Sequence, residues 1–316
     1  MKRFLIGILL LTLLTGCTGQ LPNPNQTEAP SSPETQPVVA TDPPPTQPTE
    51  ADPPATQPTE TQPQPTETQP PETQPTETQP TETQPPPTQP VYSLPPVILP
   101  EITGDPGGKL VVIDAGHQRH GNYDKEPVGP GASEWKAKVS SGTQGCVTGL
   151  EEYAFNLSLS LLLRSQLEAR GYRVMMIRTH HDVDYSNAYR AAIANEAGAD
   201  IFIRIHANGS EDPSVRGALT MCQTPQNPYN AHLYTASRRL SQCVLDGMVN
   251  AAQCKRLSIL ETDTMSGINW CQVPVTIVEA GFMSCPEEDT LLATESYQKL
   301  LAKGIADGID AYFSEN

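Results

Sequence analysis

Residues 21–106 hold 26 of the 33 prolines in this 316-residue chain, and that stretch decides first what can fold. Thr-Glu-Thr-Gln-Pro recurs at residues 59–63, 66–70, 76–80 and 81–85, with degenerate copies around them. Proline removes a backbone donor and fixes φ, so neither a helix nor a sheet ladder propagates through such a repeat. Too few apolar residues are present to offset the entropy of ordering the chain. The segment reads as a linker biased to extended polyproline II, and at roughly 3.1 Å per residue it reaches on the order of 200 Å when stretched. A packed core must therefore lie C-terminal to it.

Ahead of the linker, Met1-Lys2-Arg3 precedes an apolar run over residues 4–14. A positive start followed by so short a run is a secretory signal rather than a membrane span. Leu14-Thr15-Gly16-Cys17 resembles a bacterial lipobox, in which small residues lead to a cysteine that is lipidated and becomes the mature N-terminus. The expected organisation is a lipoprotein signal peptide over residues 1–17, a disordered linker over 18–107 and a folded domain over 108–316. The chain is then extracytoplasmic and held to the membrane through Cys17. A long spacer after an anchor suits a domain that works within a thick wall.

Charge excludes one class of partner. Of 36 acidic and 20 basic residues, 12 acidic and no basic ones lie between Arg3 and Lys109, leaving 24 against 18 from Lys109 onward. A mildly acidic domain without a basic stripe is not built for nucleic acid. After Cys17 come Cys146, Cys222, Cys243, Cys254, Cys271 and Cys285, with no Cys-x-x-Cys pair to suggest a zinc knuckle or a redox motif. Disulfides and free thiols are equally open readings. A domain of this size folds without cross-links, and a monomer is expected.

Beyond the linker, strand-like and helix-like segments alternate, the pattern of an α/β fold with a twisted, largely parallel sheet flanked by helices. The apolar run over residues 109–113 leads to Asp114-Ala115-Gly116-His117. A polar, Gly- and Pro-rich stretch over residues 118–149 reads as a long loop, and a plausible wall of a cleft. Helical periodicity starts at Glu151 or Glu152, with Phe155, Leu159, Leu162, Leu163 and Leu167 on one face and Gly171 as the left-handed stop. Residues 172–179 read as a strand, His180 and His181 as a solvated turn, and residues 186–198 as a helix. The run Ile201-Phe202-Ile203-Arg204-Ile205-His206 is a buried central strand. Residues 217–222 suggest another strand, 229–252 a long helix, 273–278 a last strand leading to Glu279, and 296–313 a closing helix.

Three strands thus finish on His117, His206 and Glu279, and the carboxyl edge of an open α/β sheet is where sites assemble. Zinc suits two imidazoles and a carboxylate, and a catalytic site keeps a fourth position open. A helix-start glutamate can supply the oxygen, leaving Glu279 to move protons. No Gly-x-Ser-x-Gly elbow, phosphate loop or dinucleotide fingerprint competes.

These residues stand in longer motifs: Val-Ile-Asp-Ala-Gly-His117, Glu152-x-x-x-Asn156-Leu157, Arg190 with Ala194-Asn195, Ala199-Asp200-x-Phe202-x-x-Ile205-His206-Ala207-Asn208, and Pro274-x-x-x-Val278-Glu279-x-Gly281-Phe282. In that order they resemble the zinc-dependent N-acetylmuramoyl-L-alanine amidases of the amidase-3 family. The resemblance implies Zn2+ held by His117, Glu152 and His206, with Glu279 as catalytic acid/base, and it selects Glu152 over Glu151. It implies peptidoglycan as substrate, cleaved between the lactyl group of N-acetylmuramic acid and the L-alanine of the stem peptide. The alternatives are a zinc peptidase acting within the stem or cross-bridge, and a non-catalytic wall-binding lipoprotein. Asn208 and Arg204 are candidate substrate contacts. Arg204, a charge in an apolar strand, either lines the cleft or pairs with an acid.

Overall fold

The computed structural model describes residues 92–314. The signal peptide, Cys17 and the linker up to residue 91 lie outside the described residues. In chain order the elements are β1 (Ile102–Gly104), β2 (Leu110–Ala115), β3 (Asn122–Pro127), β4 (Trp135–Val139), α1 (Glu152–Ala169), β5 (Arg173–Met176), α2 (Asn187–Glu196) and β6 (Ile201–Asn208). They continue with β7 (Ala218–Cys222), α3 (Tyr234–Ala252), β8 (Arg256–Glu261), α4 (Ser266–Asn269), β9 (Val275–Phe282), α5 (Pro286–Leu292) and α6 (Glu295–Ser314).

Seven strands form one sheet in the order β1-β5-β2-β6-β9-β7-β8. β5, β2, β6 and β9 run parallel to their neighbours, as do β7 and β8, while β1 against β5 and β7 against β9 are antiparallel. The expected α/β fold with a largely parallel sheet is the one observed. Helices cover both faces, so β2 and β9 are buried along their whole length and read as apolar runs rather than alternations. On one face Val111, Ile113, Ile203, Ile205 and Val278 pack with α1, α3 and α6 side chains such as Phe155, Leu159, Val244 and Ile305. On the other, Val112, Phe202 and Ile277 pack with Tyr189 and Ile193 of α2 and Ile268 of α4. Asp114, Arg204, His206 and Glu279 share this second face by the two-residue strand repeat.

Three features differ from the sequence reading. The stretch over residues 118–149 is not a bare loop, since β3 and β4 pair within it as an antiparallel ribbon. The sheet also reaches back before residue 108: β1 pairs with β5, and Tyr92 sets its ring edge-on to Trp135 and Trp270 while its hydroxyl donates to Glu126. A three-residue edge strand among prolines leaves almost no sequence pattern. Edge strand β8 went unread for a related reason, because its alternating exposure presents Arg256, Ser258 and Leu260 to solvent. All six domain cysteines are free thiols.

Candidate metal centre

The site begins where β2 ends. Gly116 donates its N–H to Ile205 O at 2.9 Å, and the chain then turns so sharply that His117 takes φ 59°. A non-glycine residue there is strained, so the surroundings must hold it. Two buried arginines do so. Arg178 donates to the carbonyls of Ala115 at 2.8 Å, Gly116 at 3.0 Å and Tyr153 at 2.8 Å. Arg190 donates to the carbonyls of Ala115 at 3.1 Å and His117 at 3.0 Å.

The His117 ring is fixed from both sides. Nδ1 lies 2.9 Å from Ser140 O, just beyond the β3–β4 ribbon. A carbonyl only accepts, so Nδ1 carries a proton and Nε2 is the ring nitrogen left to face the site. That Nε2 lies 3.2 Å from Glu152 Oε1. Glu152 opens α1, where the helix dipole favours a carboxylate. Its Oε1 also takes the Ala207 N–H at 3.2 Å and its Oε2 the Thr143 N–H at 2.9 Å. His206 completes the group, with Nδ1 3.1 Å from the same Oε1. The other edge of its ring rests on Gly116, where a Cβ would fall 2.3 Å from Nε2.

Electrostatics agree with a cation site. Burial pushes the His206 imidazole down to about 4, so it is neutral at pH 7 despite Glu152 beside it. Burial alone would raise Glu152, but the His117 and His206 rings set against its Oε1 hold it well below the usual carboxylate range. Glu279 goes the other way: burial, and next the charge of Glu152, push its carboxyl well above the usual range, with Arg204 opposing. Its Oε2 is buried without a hydrogen-bond partner.

One set of donor atoms among the described residues, from His117, Glu152 and His206, lies within 4.8 Å of one another. Two imidazoles and one carboxylate, with a solvent-facing side left open, are the donor chemistry of a catalytic zinc position. The residues therefore fit the metal that the sequence reading expects. They form one wall of a cleft of about 500 Å³, whose other lining includes Ser140, Thr143, Asn208, Glu211 and Ser284.

Comparison with known proteins decides the family. The family model described as N-acetylmuramoyl-L-alanine amidase matches residues 111–311. The chain belongs to this family. It is 29% identical over 209 residues to the uncharacterized protein YqiI of Bacillus subtilis, a match covering 66% of this chain and 86% of that one. It is 25% identical over 240 residues to the N-acetylmuramoyl-L-alanine amidase AmiC of Neisseria meningitidis, covering 65% of this chain and about half, 53%, of AmiC. Among solved structures, the amidase Ami1 from Mycobacterium smegmatis superposes with a TM-score of 0.60 at 25% identity, covering 67% of this chain and all of that one.

Within this amidase fold, the residues singled out from sequence separate into two groups. His117, Glu152, His206, Glu279 and Asn208 all face the one cleft. Arg204 does not. It is buried one layer beneath, with Nε 2.9 Å from Asp114 Oδ2 and Nη2 2.7 Å from Asn187 Oδ1, so the charge pairs with an acid. Asp114 Oδ1 lies 2.6 Å from Arg190 as well, and both guanidiniums hold this fully buried carboxyl well below its usual range against the effect of burial. Sequence reasoning quoted Asp114 and Arg190 as motif letters without a role. A buried acid in an apolar strand is the signal that could have paired them. Ser140 carried no such signal, because the ribbon that delivers it was not foreseen.

Proposed function

We propose that the chain is a zinc-dependent amidase that cleaves the bond between the lactyl carbonyl of N-acetylmuramic acid and the L-alanine nitrogen of the stem peptide. The observation that carries this is the convergence of two imidazoles and one carboxylate beside the buried, unpartnered Oε2 of Glu279. His117 Nε2, Glu152 Oε1 and His206 Nδ1 would hold the ion, which when bound supplies a Lewis acid that polarises the scissile carbonyl and acidifies water.

The chain's own residues do the rest. Glu279 Oε2 takes a proton as water adds to the carbonyl carbon, and returns it to the alanine nitrogen as the carbon–nitrogen bond breaks. A carboxyl held above its usual range keeps that proton at neutral pH between the two transfers. Ser140 O accepts the Nδ1–H of His117 and so leaves Nε2 as the nitrogen for the ion. Asn208 gives its Oδ1 to the Gly209 N–H, so its amide N–H groups are what it offers to substrate.

The rest of the reading follows from the same substrate. Cys17 is the lipidated residue, the proline-rich stretch after it is the spacer, and the folded domain, which includes β1, is the catalytic part that faces the wall. Metal analysis tests the centre of the proposal: about one zinc per chain, activity lost with a chelator and restored by zinc. A chain without stoichiometric zinc whose activity ignores chelators would contradict it.

A further inference from the structure

The loop just ahead of Glu152 closes around a carboxylate from the far end of the chain. Asp289 of α5 is fully buried, and its Oδ2 accepts the N–H groups of Val147 at 2.7 Å and Thr148 at 2.8 Å. Its Oδ1 accepts the Thr148 hydroxyl at 2.6 Å. Gly145 makes room for this approach, since a Cβ there would fall 2.1 Å from Asp289 Oδ1. The loop is closed by Gly145 N–H to Leu150 O at 2.9 Å and Gly149 N–H to Gly145 O at 3.1 Å. Val147 and Thr148 are exposed, so their side chains add no core that would hold the loop otherwise.

Both flanks of the loop lead to the site. Glu152 donates its N–H to Thr143 O at 3.0 Å while Thr143 returns its own to Glu152 Oε2 at 2.9 Å. α5 follows β9, the strand of Glu279. Cys146 donates to Met283 O at 3.0 Å, and Met283 donates to Asn208 O at 2.8 Å at the end of the His206 strand. The clasp thus ties the helix start that carries Glu152 to the two strands that carry His206 and Glu279. A buried carboxylate is costly to desolvate, and this one makes its hydrogen bonds to that loop.

The geometry points to Asp289 as the positioning residue for Glu152: it fixes residues 145–150 so that the Glu152 carboxylate is held between the two imidazoles before any ion arrives. This rests on the metal reading above. An isosteric amide cannot accept from both N–H groups and the hydroxyl, so Asp289→Asn should open the clasp. Thr148→Val removes the hydroxyl's bond to Asp289 Oδ1 and its acceptance of the Leu150 N–H at 3.2 Å, and keeps the fold in reach should the first variant misfold.

The test uses the full chain, with zinc affinity read by chelator competition and amide hydrogen exchange read without metal. Asp289→Asn should weaken zinc binding by about 10- to 100-fold, the range for lost support of a ligand. Thr148→Val should weaken it by less. Asp263→Asn, which disturbs a comparable carboxylate clasp on Thr224 and Asn227 outside the cleft, should leave zinc affinity within about twofold and so separates positioning from general destabilisation. In Asp289→Asn, exchange should speed at least tenfold over residues 143–152 and not across β2 or β6. Zinc affinity within about twofold of wild type in Asp289→Asn, or unchanged exchange in that segment, overturns the proposal. A wild-type chain that takes up no zinc would instead sink the metal reading and leave the exchange result to judge the clasp.

Discussion

His206 of β6 and Glu279 of β9 are direct register partners across the parallel strand pair. The pairing continues from Phe202 with Val275 through Ile205 with Val278, so the central apolar ladder of the sheet fixes the two functional side chains on one face. A register slip of one residue would turn either of them to the opposite face. Core packing and site geometry are therefore the same fact here.

On the proposed reading Glu279 moves protons and does not hold the metal. Glu279→Gln should lower turnover by about 10²-fold or more while the protein retains its zinc. Steady-state kinetics and metal analysis on one preparation check this. Loss of metal together with activity would make Glu279 a ligand.

Gly116 is set by the imidazole that rests on it. In Gly116→Ala the new methyl would lie 2.3 Å from His206 Nε2 and Cε1, and one of them must move. The ring is the movable partner, so zinc affinity should fall by about 10- to 100-fold with the protein still folded. Chelator competition alongside circular dichroism measures both.

The pair of arginines on Asp114 predicts an acid-labile layer beneath the site. The folded pKa of Asp114 lies below its ordinary 3.8, so its stabilisation is complete well above that value and is lost as pH falls through it and below. Denaturant melts should show stability falling with pH in that window, and a shallower fall in Asp114→Asn. At neutral pH this variant should cost about 3–5 kcal/mol, because Arg190 and Arg204 are left buried with half their partner gone.

The domain extends before residue 108. A chain starting at residue 108 lacks β1 and the docking of Tyr92, and leaves the edge of β5 unpaired. It should lose about 2 kcal/mol, roughly 4–8 °C for a domain of this size, against a chain starting at residue 92. Equal melting temperatures would show that residues 92–107 add nothing to the fold.

Much of the site was legible because its residues end long, buried, apolar strands, where a histidine or glutamate breaks the pattern. The ligand on α1 was harder: two adjacent glutamates both suit a helix start, and only the Asn156-Leu157 spacing of the family separated them. What could not be read was whatever depends on pairing across the chain. Arg204 stayed open between the cleft and an acid because its partner Asp114 lies on a different strand, 90 residues away. Ser140 and the β3–β4 ribbon act through backbone groups that leave no side-chain pattern, and the Asp289 carboxylate meets a loop 142 residues away.

The bond that is cut tests the account most directly. Purified peptidoglycan is digested with zinc-loaded protein, beside a Glu279→Gln control, and the fragments are weighed by mass spectrometry. The account predicts glycan strands whose muramic acid carries a free lactyl carboxyl, together with intact stem peptides that begin at L-alanine, and neither in the control. Fragments in which muramic acid still carries alanine, released by cuts further along the peptide, would contradict it.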